Sequence, residues 1–357
     1  MSERRRAARA RAVLYGATGE TGQRIAARAI ERGLPIVLAG RDRARLDAVA
    51  GRLGGAEVRV ASLEDPAALV RALEGASVVL NAAGPFEDTL APVLEAALAA
   101  GAHYLDVSGE ARAVERAASW AEPARERGCM IMPAVGFDVL ASDCLAVHVA
   151  RRLPKPAQLA LGIFGLDGFS RGSARSMARQ AGAPVLVRRD GALEACAPGE
   201  LRRSFRIGGV ARPAVAVTWA DVVTAWFSTG VPSIATYFDE TPALRIAMAT
   251  NRALYMAGAG AAVTRTLDAL ARDFDASPRS AREPATTVLA EARAADGRLA
   301  TSRLDAPGPY AFTALSAVAV LERVLAGDVE PGFETPARVY GADFVLRLPG
   351  VTRQDVS

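Results

Sequence analysis

Six short apolar runs punctuate the chain between residues 12 and 132: "AVLY", "IVLA", "EVRVA", "SVVLN", "YLDV" and "CMIM". Runs of this length with little polar alternation suit strands covered on both faces, as in a parallel sheet. Between them apolar positions fall at helical spacing over Gly22 to Arg32, Arg41 to Leu53, Asp65 to Leu73 and Asp88 to Ala100, each stretch closed by a glycine or a turn. Six strands joined by right-handed crossovers predict a doubly wound parallel sheet, a Rossmann-type α/β domain.

After "MPAVGFDVLASDCLAVHVARRLPKP" the alternation stops, and Pro154 and Pro156 mark a boundary. The pattern predicts domains at 1–150 and 151–357, the second an α+β unit. There "AQLALGIFG" reads as a strand, "SRGSARSMARQAG" as a helix, and "TTVLAEARAADGRLATSRL" as a hairpin turning on Asp296-Gly297. "YAFTALSAVAVLERVLAG" reads as an apolar helix closed by Gly327, and such a helix must pack against a substantial surface.

At 51% hydrophobic over 357 residues, the chain has the apolar content for two buried cores. Cys129, Cys144 and Cys196 are scattered and no secretory segment opens the chain, so reduced thiols in a cytoplasmic protein are expected. His103 and His148 are the only histidines, too few for a His-rich metal site, and no metal is expected. Most of the net charge of +4 sits in "SERRRAARAR"; the folded remainder is near neutral, without the basic stripe that nucleic-acid binding requires. No window has the uncharged length of a membrane span, the nearest, "ALYMAGAGAAV", being stopped by Arg265. Peripheral membrane contact and homo-oligomerisation are both compatible with this composition. Lys155 is the single lysine, in "RRLPKPAQ", which excludes a P-loop, and Arg151 four residues before it excludes a tyrosine/lysine dehydrogenase pair.

The stretch "VLYGATGETGQ" places three glycines three apart between a strand and a helix. Gly16 permits the tight turn, Gly19 lets a pyrophosphate approach the backbone, and Gly22 lets the helix close on the sheet. The amides of Ala17, Thr18, Gly19, Glu20 and Thr21 are then expected to face the anion, aided by the helix dipole. At the end of the second run, "IVLAGRDRARL" offers Arg41 where an acid would hold the ribose hydroxyls of NAD. A guanidinium grips a 2′-phosphate that a carboxylate would repel, so the expected cofactor is NADP, with Arg43 or Arg45 sharing the task. As an alternative, these arginines are the solvated first turn of a helix with Asp42 as its N-terminal acid.

Ligands of such sheets lie beyond the carboxyl ends of the strands, which here read "NAAGPFED", "YLDVSGEA" and "PAVGFDVLASD". Ala83, Gly84 and Pro85 make a turn with little side chain to obstruct a nicotinamide ribose. Asp106, Ser108 and Glu110 bring polar groups up the adjacent strand; Gly136, Phe137 and Asp138 follow, with Ser142 and Asp143 able to cap the next helix. Candidate catalytic groups are Asp106, Ser108, Glu110 and Tyr310, the last opening the late apolar helix. His103 and His148 read as structural.

Taken in order, "GATGETGQ", "LAGRD", "NAAGPF", "YLDVSGE", "GFDVLASD" and "GFETPARVYGADFV" resemble the saccharopine dehydrogenase-like oxidoreductases, and more closely their trans-acting enoyl reductase branch. The resemblance implies an NADP-binding Rossmann domain, an α+β domain, and a C-terminal helix region, about 310–345, returning to the first domain. It implies hydride transfer from NADPH to an activated double bond, with cofactor roles for Gly16, Gly19, Gly22 and Arg41, and with Gly84 and Pro85 beside the nicotinamide ribose. Where many relatives carry an acid after the third strand, this chain has Ser62.

The leading expectation is an NADPH-dependent reductase of an acyl- or lipid-type enoyl substrate, free or carrier-bound; "VTWADVVTAWFSTGVP" would suit a site for its chain and would equally suit an ordinary core. Ser108 would stabilise the enolate and water or Tyr310 would return the proton. An imine reductase would instead gather Arg171, Arg175 and Arg179, spaced by four on one helix face, around substrate carboxylates. A non-catalytic NADPH-responsive regulator is the third reading.

Overall fold

The computed structural model describes residues 11–166, 176, 178–260, 263–264 and 284–356. The "SERRRAARAR" arm up to residue 10, Arg171, Arg175 and Arg265 lie outside the described residues. The chain divides into two compact units, one of Met1–Leu140 with Tyr310–Val339, the other of Ala141–Pro309 with Tyr340–Ser357.

The first unit opens with β1 (Ala12–Tyr15), α1 (Glu20–Glu31), β2 (Ile36–Gly40), α2 (Arg43–Arg52), β3 (Val58–Val60) and α3 (Pro66–Leu73). It continues through β4 (Val78–Asn81), α4 (Phe86–Ala100), β5 (His103–Asp106), α5 (Ala111–Ala118), α6 (Ala121–Glu126) and β6 (Met130–Met132). The last helix of this run, α7 (Phe137–Arg151), crosses the division between the units. Asp42 and Asp65 start α2 and α3 by accepting the amides of Arg45 and Ala68, which satisfies donors that a helix start leaves open.

In the second unit β7 (Pro156–Phe164) is followed by the hairpin of β8 (Val185–Arg189) and β9 (Ala192–Cys196), then β10 (Arg202–Ile207) and β11 (Val210–Val217). Next come α8 (Asp221–Thr229), β12 (Ser233–Asp239), α9 (Pro242–Met256), and the hairpin of β13 (Thr286–Ala294) and β14 (Leu299–Ala306). The chain then supplies α10 (Pro309–Leu325), β15 (Gly332–Phe333), α11 (Pro336–Tyr340) and β16 (Thr352–Val356).

The first sheet has the order β15-β6-β5-β4-β1-β2-β3, with every pairing parallel. The order reverses between β1 and β4, so a crevice opens beyond their carboxyl ends. Six of its strands coincide with the six apolar runs; β15 is a seventh, of only two residues. Its neighbour α10 packs within the same unit: Thr313 Oγ1 accepts the Phe137 amide at 3.0 Å, Ser316 donates to the Val135 carbonyl at 2.8 Å, and Phe312 meets Phe137 edge-on.

The second sheet runs β10-β11-β12-β7-β13-β14-β16, mixed in direction, with β8 and β9 attached off that path. The stretch expected to line an acyl-chain site folds largely as α8, burying Val222, Val223 and Ala225, while Trp219 stacks on Phe238 and Trp226 lies under Arg188. Trp219 and Trp226 are half-buried and Phe227 is exposed. A cavity of about 480 Å³ on this sheet is lined by Arg188, Arg189, Arg203 and Arg293 together with apolar side chains such as Leu201 and Tyr237.

Ser142 and Asp143 are not caps: both lie inside α7, where Ser142 donates to Asp221 at 2.5 Å and Asp143 accepts from Ser228. His103 starts β5 and its Nδ1 accepts the Met130 amide, while His148 lies 2.7 Å from Asp355 rather than among apolar side chains alone. The three cysteines are buried free thiols, all pushed up by burial, which makes them poor nucleophiles. Among the described residues no cluster fits a metal ion, and no helix is long and apolar enough to cross a membrane.

Candidate active site

The glycine loop fills the β1–α1 junction at the crevice. Gly16 has φ +84°, and a Cβ there would lie 2.6 Å from the Ala83 amide nitrogen. A Cβ on Gly22 would lie 2.3 Å from the Gly16 carbonyl oxygen. Both are glycine because protein backbone occupies the space. We expect Gly22→Ala to destabilise the protein by about 1 to 3 kcal/mol through overpacking, read as a lowered Tm in thermal unfolding; an unchanged Tm would mean the α1–β1 contact is looser than found.

Gly19 differs. It is exposed, has extended backbone (φ −75°, ψ 163°), and a Cβ there would meet only the Gly16 carbonyl, at 3.4 Å. Neither the fold nor the backbone angle demands glycine, and the open space in front of it suits the close approach of an anion to a helix start. Two of the five amides expected to face that anion are otherwise engaged: Ala17 donates to the Ala39 carbonyl and Gly19 to the Gly16 carbonyl. Among the described residues the amides of Thr18 and Thr21 have no such acceptor, and Glu20 and Thr21 form the first turn of α1. Gln23 holds the loop from behind by donating to the Thr18 carbonyl at 3.0 Å.

At the end of β2 the arginines separate by role. Arg43 is paired with Asp47 at 2.8 Å, and Asp42 caps α2. Arg41 is exposed and makes no ion pair among the described residues. Its charge is felt at Tyr15, whose buried hydroxyl donates to the Ala61 carbonyl at 3.1 Å: burial raises the Tyr15 phenol and the Arg41 charge opposes that rise. Arg41 is thus left available beside the ribose end of the crevice. Ser62, in place of an acid, accepts the Glu64 amide.

The ends of β4, β5 and β6 meet on the other side of the switch point. Gly84–Pro85 is a cis turn. The Glu110 carboxylate accepts the amides of Phe86 at 3.0 Å and Glu87 at 2.8 Å, holding the start of α4 directly after that turn. Asp106 Oδ1 accepts the amides of Ser108 at 2.9 Å and Ala134 at 2.7 Å, and its Oδ2 accepts the Tyr104 hydroxyl at 2.9 Å. Ser108 is fully buried, its Oγ accepting the Glu110 amide. Asp106, Ser108 and Glu110, expected as candidate catalytic groups, each hold backbone amides of the loops beyond β4, β5 and β6, and Asp106 also accepts the Tyr104 hydroxyl.

Asp138 carries chemistry that the sequence reading passed over. It sits in the first turn of α7, and its carboxyl lies so close to Gly109 that a Cβ there would be 2.7 Å from Oδ2. Burial, and then the Glu110 charge, push its carboxyl up to about 7, so it exchanges a proton near neutrality. Tyr310 lies elsewhere, at the start of α10 with its ring 5.7 Å from the Arg24 guanidinium, which pairs with Glu20. That puts Tyr310 beside the glycine-loop helix.

The family described as "Saccharopine dehydrogenase NADP binding domain" matches residues 12–132. This part of the chain is a saccharopine dehydrogenase NADP-binding domain, and it binds NADP. A trans-acting enoyl reductase of Mycobacterium ulcerans is 36% identical over 149 residues, 39% of this chain and 35% of that protein. A human saccharopine dehydrogenase-like oxidoreductase is 31% identical over 160 residues, 40% of this chain and 37% of that protein. The match thus spans little more than a third of the length of these relatives. In overall fold the chain is similar to apo saccharopine dehydrogenase (L-Glu forming) from Saccharomyces cerevisiae, with a TM-score of 0.67 at 14% identity over 97% of this chain and 100% of that one.

The site has the features the cofactor needs: an exposed loop at a helix start that a pyrophosphate fits, and an unpaired guanidinium for a 2′-phosphate.

Proposed function

We propose that this protein is an NADPH-dependent reductase that delivers hydride to the β-carbon of an α,β-unsaturated acyl substrate. The observation that carries the reading is the placement of the Asp138 carboxyl against Gly109, in the first turn of α7 at the carboxyl edge of a sheet whose glycine loop suits NADP, with burial raising that carboxyl to about 7. When bound, NADPH supplies the hydride. Arg41 holds its 2′-phosphate, Thr18 and Thr21 its pyrophosphate, and the Ala83–Pro85 turn borders its nicotinamide ribose. Asp138 gives its proton to the α-carbon, or to the enolate oxygen first, and regains one from solvent after NADP⁺ and the saturated product leave. Tyr310, beside α1, is the second candidate donor. The identity to a trans-acting enoyl reductase supports the enoyl substrate, presented free or on a carrier protein. A relative from Caenorhabditis elegans called "lipid droplet localized protein", 31% identical over 144 residues, favours a lipid-derived acyl group and contact with a lipid surface over a purely cytoplasmic setting.

Oxidation of the NADPH complex by a panel of enoyl thioesters tests the reading, followed as loss of nicotinamide absorbance. Asp138→Asn is expected to lower kcat by about 100- to 1000-fold with NADPH affinity intact. Because the protonated form is the active one, the wild-type rate should fall as pH rises through about 7. Turnover with imines but no enoyl thioester would replace the substrate class, and an Asp138→Asn enzyme of wild-type kcat would remove Asp138 from the mechanism.

A further inference from the structure

The carboxyl ends of β4, β5 and β6 are joined by a continuous buried chain of hydrogen bonds, and we propose that it is a proton-sensitive positioning relay. In it Tyr104 transmits the protonation state of Asp106 to Asn81, and so to the Ala83 wall of the nucleotide site. The inference rests on the NADP-site reading above. Asn81, Tyr104 and Asp106 are all fully buried.

The connections are unbroken. Asp106 ties the β5 and β6 loops together through the Ser108 and Ala134 amides and accepts the Tyr104 hydroxyl. Tyr104 Oη in turn accepts from Asn81 Nδ2 at 3.3 Å, and that same amide group also donates to Thr89 Oγ1 at 3.2 Å. Asn81 Oδ1 accepts the Ala83 amide at 3.0 Å, and Thr89 donates to the Ala83 carbonyl at 2.6 Å. Ala83 is the residue against which Gly16 closes. At the far end, Ala134 sits at φ +59°, a conformation that an alanine keeps only when its surroundings hold it.

The direction of the Asp106–Tyr104 bond depends on the charge of Asp106. An ionised carboxylate only accepts, so Tyr104 donates to it and offers its lone pairs to the Asn81 amide group. A proton arriving from solvent on Oδ2 reverses that bond. Asp106 then donates to Tyr104, and the Tyr104 hydroxyl hydrogen is turned toward Asn81 Nδ2, itself a donor. Two donors cannot share that contact, so Asn81 must rotate, and rotation withdraws Oδ1 from the Ala83 amide. The groups facing Asp106 are Tyr104 on its own strand, the Ser108 and Ala134 amides, and the Glu110 carboxylate. Burial raises the Asp106 carboxyl to about 6 against the pull of its three donors, and the Glu110 charge adds to the rise. The relay is therefore in its accepting state above that pH and reverses below it.

Calorimetric titration with NADP⁺ between roughly pH 5 and 8 tests the relay. The cofactor's own 2′-phosphate also titrates near pH 6, so the reading is the difference between wild type and variants. Asp106→Asn points a permanent donor at Tyr104 and imitates the protonated state. We expect it to bind NADP⁺ about tenfold more weakly than wild type at neutral pH, and to show a smaller affinity loss on acidification. Tyr104→Phe leaves the carboxylate with both backbone amides but cuts the relay, and should flatten the pH dependence in the same way. If Asp106→Asn does not fold, Tyr104→Phe decides alone. A Tyr104→Phe protein with wild-type affinity and wild-type pH dependence overturns the relay while leaving the cofactor site standing. Wild-type protein that binds no NADP⁺ overturns both.

Discussion

Gly19→Val abolishes binding of both NADPH and NADH, weakening each by more than about 100-fold, while the variant unfolds within a few degrees of wild type. The two halves of this expectation have separate causes. The fold accepts the change because Gly19 is exposed and extended, a conformation that valine adopts readily, and a Cβ meets nothing closer than 3.4 Å. The cofactor does not accept it, because the branched side chain stands where the pyrophosphate must approach the start of α1. Fluorescence titration with each nucleotide, paired with thermal unfolding, separates the two. Normal binding by the variant would mean that the loop is only a turn; lost binding accompanied by unfolding would mean that the loop's shape had been misjudged.

Arg41→Glu reverses the nucleotide preference. Arg43 is occupied by Asp47 and Asp42 by the α2 cap, so Arg41, directly after β2 and with its charge felt at Tyr15, is the first guanidinium without an ion pair among the described residues, with Arg45 behind it. A charge-assisted contact of this kind contributes about 1.5 to 3 kcal/mol, and the substituted carboxylate adds repulsion toward the 2′-phosphate while accepting from the ribose hydroxyls of NADH. The NADPH/NADH affinity ratio should shift by about 100-fold or more toward NADH. An unchanged ratio would make Arg41 a surface residue and would leave the 2′-phosphate to another group, Arg45 first.

The nucleotide half of the site was legible because its signals are local. Three glycines between a strand and a helix, and an arginine after the next strand, are fixed by neighbours within a few residues. The other half depends on partners brought from different strands. Asp106 reads as a candidate acid until the Ala134 amide, from the β6 loop, is seen to occupy it, and Ser108 and Glu110 are likewise taken up by backbone. A weak signal did exist: Tyr104 and Asp106 stand two apart on one strand and so share a face, and Asn81 is a lone polar residue closing an apolar run. Asp138 was visible as a residue but not as an acid, since its raised carboxyl depends on Gly109 and Glu110 from another loop. The two-residue β15 carries no periodicity from which a strand could be read. In the second unit, β10 is largely polar and exposed, so its strand character comes from pairing with β11 rather than from an apolar pattern.

The most direct test of the central claim is a titration of the purified protein with NADPH and with NADH, followed by nicotinamide fluorescence. The site described here predicts saturable binding of both, with NADPH tighter by about ten- to a hundredfold through Arg41. Equal affinities, or a preference for NADH, would contradict the role of Arg41, and no binding of either nucleotide would contradict the site itself.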